Sequence, residues 1–481
     1  MRGRGAGQPA AAQRPRIRAS YIDEPALEFA GGQHELDQKR GLAKYGPASL
    51  GTPRHPSAIK LGFIGSGQSV EKARAWFRHA AEGVAGDIES GLPAFPGFAE
   101  DRGFFCELVD ADEHVEVITT REVDDIAGQK KVADRFQTAV DLLSEKMRML
   151  RQQDNRPDVV ILALPDTLLA HTKKAKFHDP VLGQVLRDFR RALKAELMRH
   201  DIPTQILLER VSGAEPGDRG LDHASRVAWN LCTSLLFKGG GVPWRPVGLR
   251  PDTCYIGVSF HRPLGSTNTN LQSSVAQAFD ENGTGLVLRG PDFPWDPREG
   301  GPTPHLNEEQ ATALIDLVLR RYKQETKRAP ARVVIHKTSR FTVEERAGFK
   351  AALGAITEFD LVAVHPSSEV RLLRAGKYPP LRGTLFSVAD LHYLYTTGYI
   401  RAIEAYPHGH VPSPLQIADH HGDSSPEAVA REILLLTKMN WNSAGFAGSQ
   451  PITVRFSRLV GDIMREVPHD REPQPQFKFY T

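Results

Sequence analysis

Short apolar runs alternate with stretches in which apolar residues recur every three or four positions, and the alternation continues along most of the chain. The run Ile59-Lys60-Leu61-Gly62-Phe63-Ile64 reads as a strand that passes through a Ser/Gly turn into a helix around Lys72 to His79. Phe136, Val140, Leu143, Met147 and Leu150 share a helical face, and Val159 to Leu164 is apolar throughout, as a strand covered on both sides must be. Leu186, Phe189, Leu193 and Leu197 mark another helix, followed by the strand Gln205 to Leu208. A last helix, from about His223 to Phe237, is stopped by Gly239-Gly240-Gly241 and Pro243. This order predicts a parallel sheet covered on both faces.

The pattern changes near Cys254. Tyr255 to His261 reads as a strand, with Ser274 to Asp280 and Gly285 to Leu288 as antiparallel neighbours around the turn Glu281-Asn282-Gly283. Asn307 with Gln310, and Thr342 with Glu345, are capping-box signatures; the first opens a helix through Tyr322 and the second follows the strand Arg332 to Ile335. The expected fold class is α/β, a Rossmann-like unit followed by an RNase H-like unit. Residues 1–20, with Arg2, Arg4, Arg14, Arg16 and Arg18 among Gly, Pro and Ala, are expected to be a flexible basic tail. A lead-in segment follows over 21–54, the first unit over 55–250 and the second over 251–481.

Composition narrows the function only a little. At 481 residues the chain calls for two or three domains, and 40% hydrophobic with 25% charged residues is the make-up of a folded protein. Lys and Arg number 61 against 58 Asp and Glu, so any nucleic-acid binding must come from local basic patches. Cys106, Cys232 and Cys254 form no CxxC pair, which argues against a disulfide framework or a cysteine zinc site and for a reducing cytoplasm. Neither a signal-peptide core nor an apolar run of membrane-spanning length is found, so a soluble intracellular protein with no membrane partner is expected.

Several motifs carry less than they suggest. Gly62-Phe63-Ile64-Gly65-Ser66-Gly67 follows a strand and precedes a helix, but its GxxGxG spacing is not that of a dinucleotide fingerprint, and a turn serving the fold is favoured over a nicotinamide site. Asp419-His420-His421-Gly422-Asp423 could ligate a metal, yet adjacent histidines in an extended segment point apart, and a loop with a helix-capping role before Ser425 is preferred. His408-Gly409-His410 and His365-Pro366 are weaker. The helix with Arg187, Arg190, Arg191 and Lys194 opposite its apolar stripe is either a solvated basic face or a place for an anion.

Context favours the anion. Phe189-Arg190-Arg191-Ala192-Leu193-Lys194, then Ile202-Pro203-Thr204-Gln205, then Leu236-Phe237-Lys238-Gly239-Gly240-Gly241 resembles the MID domain of Argonaute proteins. Pro412-Ser413-Pro414-Leu415, Leu436-Thr437-Lys438-Met439-Asn440-Trp441-Asn442 and Pro451-Ile452-Thr453-Val454 resemble the closing part of their PIWI domain. The resemblance implies that Arg190, Lys194, Gln205 and Lys238 hold the 5′ phosphate of a guide strand, with Arg190 standing where many relatives have a Tyr. It also implies a Mg2+ ion bridging that phosphate to Thr481, coordination that is ordinary for this ion. Ala26 to Phe29 with Lys44-Tyr45-Gly46-Pro47 looks like the family's lead-in, and the N and PAZ domains of long Argonautes are missing, as in short prokaryotic Argonautes.

RNase H-like nucleases hold two metal ions with clustered carboxylates. Aligned on the family pattern, the first-strand acid position is Ser259 and a second is Thr338, within Lys337-Thr338-Ser339-Arg340. The expectation is therefore a catalytically inactive protein, not an enzyme, that uses guide RNA to recognise single-stranded DNA. The resemblance further implies a partner with an APAZ region carrying a TIR, sirtuin-like or nuclease effector, in antiphage immunity. Lys337, Arg340, Lys438 and Arg455 are candidate contacts to nucleic-acid backbone. The competing readings are an active nuclease with an unusual acid set from Asp280, Glu281 or Asp292, and a nucleotide-dependent enzyme.

Overall fold

The computed structural model describes residues 17–87, 91–179, 182–214, 218–264, 271–280, 285–406, 411–468 and 471–481. After strand β1 (Ile17–Tyr21) and the lead-in, the first unit runs β2 (Ala58–Gly65), α1 (Gly67–Glu82), β3 (Glu107–Val117), α2 (Val132–Arg151), β4 (Val159–Leu164), α3 (Phe189–Leu197), β5 (Thr204–Leu208) and α4 (Ala224–Lys238). Its strands are parallel, in the order β5-β4-β2-β3. All six residues of β4 are buried, because α2 and α3 cover one face and α1 and α4 the other. Each such aliphatic side chain contributes roughly 1.5–3 kcal/mol, set against the entropy of ordering it. The Gly62 to Gly67 turn serves this packing. A Cβ on Gly65 would stand 2.2 Å from the Ala163 carbonyl oxygen, and Ser66 caps α1 by accepting a hydrogen bond from the Ser69 amide.

The second unit runs β6 (Thr253–His261), β7 (Leu271–Phe279), β8 (Gly285–Pro294), α5 (Glu308–Thr326), β9 (Arg332–Lys337), α6 (Val343–Ala352), β10 (Glu358–Pro366), β11 (Thr384–Val388), β12 (Leu391–Leu394), β13 (Leu415–Gly422), α7 (Pro426–Leu436) and α8 (Ile452–Met464). The sheet order is β1-β11-β12-β13-β10-β9-β6-β7-β8. Strands β6, β7 and β8 form an antiparallel meander, while β9 and β10 lie parallel to β6. That is the RNase H arrangement, extended on its far edge. Both capping boxes form, at Asn307/Gln310 and Thr342/Glu345. The Glu281 to Gly283 turn, and His408 to His410, lie outside the described residues.

Three local expectations are corrected. Residues 17–20, assigned to a flexible tail, belong to β1, which pairs antiparallel with β11. Every side chain of β1 is exposed, so the segment is held by backbone hydrogen bonds that a hydrophobic pattern does not register. Asp419 to Gly422 is not a capping loop but the end of β13. His420 meets Asp360 at 2.8 Å, His421 meets Asp419 at 2.9 Å, and the cap of α7 is Ser425. The basic helix starts at Phe189, because Asp188 caps it by accepting from the Arg191 amide; Leu186 and Arg187 lie in the strand of a preceding hairpin.

The lead-in is clamped onto the second unit. Glu24 is buried between Arg382, at 2.8 Å, and Lys438, at 3.1 Å. The Gln38 side chain donates to the Phe446 carbonyl at 2.8 Å, and Leu27 and Phe29 join a core cluster that continues through both units. Among the described residues, no helix is long and apolar enough to cross a membrane.

Candidate functional site

Four segments far apart in sequence meet at the junction of the two units. Arg190 and Lys194 stand one turn apart on α3, but they differ in environment: Arg190 is exposed, while Lys194 is 4% exposed. The Lys194 ammonium donates to the Thr204 carbonyl and to the main-chain oxygen of Thr481, both at 2.5 Å. Lys238, the last residue of α4, donates to Gln205 Oε1 at 2.5 Å. Ser234, one turn earlier, donates to the same oxygen at 3.3 Å and to Asn442 Oδ1 at 2.8 Å. Arg190, Lys194, Gln205, Lys238 and Thr481 thus form one constellation, although residues 190 and 481 lie at opposite ends of its sequence span.

Its electrostatics are unusual for an interior. Among the described residues, neither ammonium has an Asp or Glu carboxylate within ion-pair distance. Burial, reinforced by Arg190, pushes Lys194 down to about 7. Burial, with Lys194 and then Arg190 nearby, pushes Lys238 far below the usual lysine range. Neither buried lysine has an Asp or Glu side chain to offset its charge, so burial disfavours the protonated forms and an incoming anion restores them. Beside them opens a cavity of about 740 Å3 whose polar lining includes Arg190, Lys173, Gln205, Asn230, Ser234, Asn442 and the carboxylates Asp166, Asp188 and Asp222; the two lysines do not line it, and Lys238 is linked to it through Gln205. Ser234 and Asn230 were not singled out by the sequence reading. Their signal lay on the inner face of α4, which reads simply as a buried helix. Asn442 sat inside the Leu436 to Asn442 motif without an assigned role.

A second cavity, of about 580 Å3, brings Ser259 and Thr338 together. A Cβ on Gly257 would lie 2.0 Å from the Thr453 carbonyl oxygen, so glycine there lets α8 pack directly on β6. The Ser259 hydroxyl donates to the Ser457 carbonyl of α8 at 3.0 Å. Asp280 and Asp292 do not line this cavity, and Glu281 is outside the described residues.

The four backbone-contact candidates divide. Arg340 and Arg455 are exposed. Lys337 is buried, with its ammonium 2.6 Å from both carboxylate oxygens of Glu345, so it is committed to a structural pair. Lys438 is 1% exposed and bonds Glu24 and the carbonyls of Pro25 and Leu36, which makes it a clamp for the lead-in instead of a nucleic-acid contact. A one-dimensional reading sees a lysine and cannot see that its charge is already used.

No protein-family model matches the chain. It is similar to the Protein argonaute of Thermus thermophilus, 25% identical over 306 residues that make up 61% of this chain and 39% of that protein. Among solved structures it is similar to Clostridium butyricum Argonaute bound to a guide DNA and a 19-mer target DNA, with a TM-score of 0.65, 17% identity, and 96% of this chain matched to 55% of that one. The A. aeolicus Argonaute gives a TM-score of 0.58 at 16% identity, covering 95% of this chain and 54% of that one. The chain therefore spans only about half, or less, of the length of these relatives. Its two units match the MID and PIWI folds of these Argonaute structures, and part of the chain is similar in sequence to one Argonaute protein.

Proposed function

We propose that the chain captures the 5′ phosphate of a short guide RNA at Arg190, Lys194, Gln205, Lys238 and Thr481 and uses the guide to recognise single-stranded DNA. The observation that carries this reading is the pair of buried lysines with no Asp or Glu side chain within ion-pair distance, next to a cavity large enough for a terminal nucleotide. A terminal phosphate brings about two negative charges and several acceptor oxygens. Entering beside Gln205, it takes the Lys238 ammonium over from the amide oxygen, and the Gln205 N–H2 group, which donates one hydrogen to the Ile206 carbonyl, has a second to give. Arg190, exposed at the cavity wall, offers a planar guanidinium on which the first base stacks. The solved C. butyricum relative holds guide and target DNA, which supports nucleic acid as the ligand class.

Magnesium fits the same place. The Thr481 main-chain oxygen is buried and directed into the lysine cluster, and an oxygen donor combined with phosphate oxygens is the hard ligand set this ion prefers. When bound, the ion would neutralise phosphate charge. The lysines and Gln205 orient the terminal group whether or not it is present.

The chain is proposed to recognise without cutting and to signal through a second protein with an APAZ region and a TIR, sirtuin-like or nuclease effector, as a defence against invading DNA. Support for inactivity comes from the hydroxyls of Ser259 and Thr338, which occupy the aligned acid positions and share one cavity. Two measurements test these readings. Nucleic acid extracted from the purified chain and sequenced is expected to be short RNA with 5′ phosphates; recovery of nicotinamide cofactor and no RNA would reject the guide reading. Incubation of the guide-loaded chain with complementary DNA and Mn2+ is expected to leave the DNA intact, and cutting opposite the guide's centre would reject inactivity.

A further inference from the structure

The cavity around Ser259 and Thr338 is poor in carboxylates and rich in basic groups. A site that holds two divalent ions concentrates carboxylates, but the residues here do not fit that task. Among the described residues lining the cavity, Asp462 is the single carboxylate, and it is held by Arg191 at 2.6 Å. Three guanidinium groups, of Arg262, Arg458 and Arg465, line the same space. Arg458 is exposed, and the Arg465 Nε is buried with no hydrogen-bond partner. Such a lining repels cations and attracts anions.

His261 adds an independent observation. Its ring is 7% exposed, lines the cavity, and has no hydrogen-bond partner at either nitrogen. A buried ring in that state forfeits hydrogen bonds that a ligand in the cavity restores. Burial, then the nearby Arg289, lowers its pKa to about 4, so at neutral pH it presents one N–H donor and one acceptor without charge. The Thr338 hydroxyl adds a donor to the same cavity, while that of Ser259 is given to the Ser457 carbonyl.

We infer that this cavity is a metal-independent seat for a backbone phosphodiester of the DNA strand paired to the guide, built from Arg458, Arg465, His261 and the Thr338 hydroxyl, with the uncharged Ser259 beside them. The inference rests on the guide reading above and names what the former nuclease centre does within it. Phosphate contacts of this kind position a strand without reading its sequence. A lining whose one carboxylate, Asp462, is paired with Arg191 serves two ends at once, since it disfavours metal assembly and does little to repel the strand.

The test uses the full chain loaded with a 5′-phosphorylated guide RNA and a labelled complementary single-stranded DNA, titrated in EDTA and in Mg2+ across a salt series. Wild-type capture of the DNA, counted per chain that still holds its guide because Mg2+ is also proposed at the guide's 5′ phosphate, is expected to be equal with and without the metal. Arg458→Ala with Arg465→Ala is expected to weaken it about tenfold and to make the salt dependence shallower by about one released counterion, while guide loading stays unchanged. Ser259→Asp with Thr338→Asp, which keeps both arginines, is expected to weaken capture in EDTA by placing carboxylates against the phosphate. If both variants capture DNA as the wild type does, or if wild-type capture requires the divalent ion, the seat is rejected while the guide reading stands. If the wild type loads no guide at all, both fall.

Discussion

Changing Lys194 and Lys238 together to alanine is expected to weaken capture of a 5′-phosphorylated guide RNA by roughly a hundredfold or more, and to leave capture of the same strand with a 5′ hydroxyl almost unchanged. A hydrogen bond to a charged group is worth about 1.5–3 kcal/mol, so losing two of them removes about 3–6 kcal/mol of phosphate-specific binding. The two ammonium groups reach the site from different helices and are buried, so no neighbouring surface lysine replaces them. Filter binding with the two guide chemistries side by side measures the ratio, and equal losses for both would reject the pocket. Lys194→Met with Lys238→Met controls for the cavity that alanine leaves.

The same lysines give a pH dependence of definite sign. The folded-state pKa of Lys194 is about 7, below its unfolded value, so the empty chain releases a proton on folding above that pH. Its own stability should therefore rise as pH increases from about 7 toward the unfolded lysine value near 10.4. Binding the phosphate as an ion pair requires that proton back. Affinity for the phosphorylated guide should accordingly fall over this window, a trend that 5′-hydroxyl guides do not share.

The second large effect is on stability. Arg332 is expected to be the most damaging single position of the second unit to truncate, at about 3–5 kcal/mol for Arg332→Ala. Its guanidinium lies 2.6 Å from Asp360 and 2.7 Å from Glu432, and all three side chains are buried. The group ties β9 to β10 and to α7, and removing the cation leaves two carboxylates without it in a low-dielectric interior. Urea unfolding of Arg332→Ala against the triple change Arg332→Met, Asp360→Asn, Glu432→Gln separates the causes. The triple variant should recover much of the loss, and an Arg332→Ala midpoint close to the wild type would refute the account. Acid acts on the same group. Burial pushes the Asp360 carboxyl up, but hydrogen bonds from His420, Ser424 and Arg332 outweigh it and hold it below the usual carboxylate range. A depressed folded value means that this stabilisation is complete above the unfolded pKa near 3.9 and is lost as pH falls below it toward the folded value.

Much of this was legible without coordinates wherever physics is local. The strand Val159 to Leu164, the capping boxes at Asn307 and Thr342, and the helix from about His223 depend on neighbours within a turn or two, and they form as read. The motif order also pointed to Arg190, Lys194, Gln205, Lys238 and Thr481 as a group. What one dimension could not supply is which charges are already spent. Lys194 and Lys438 are both lysines in motif-rich segments, yet Lys438 is held by Glu24, more than 400 positions away, while Lys194 faces the main-chain oxygens of Thr204 and Thr481 and no Asp or Glu side chain. Edge strand β1 was missed for a related reason, because its partner β11 lies far along the chain and its side chains carry no pattern.

The sequence by itself therefore determined the α/β class, the succession of two units and the residue types available for chemistry, since these follow from periodicity, capping and spacing. Only the tertiary structure decided which lysines have no Asp or Glu side chain beside them, how Ser259 and Thr338 come to share a basic cavity, and how the two units meet at Thr481. Those properties depend on distances between residues remote in sequence, and the strength of each interaction is set by the burial that folding creates.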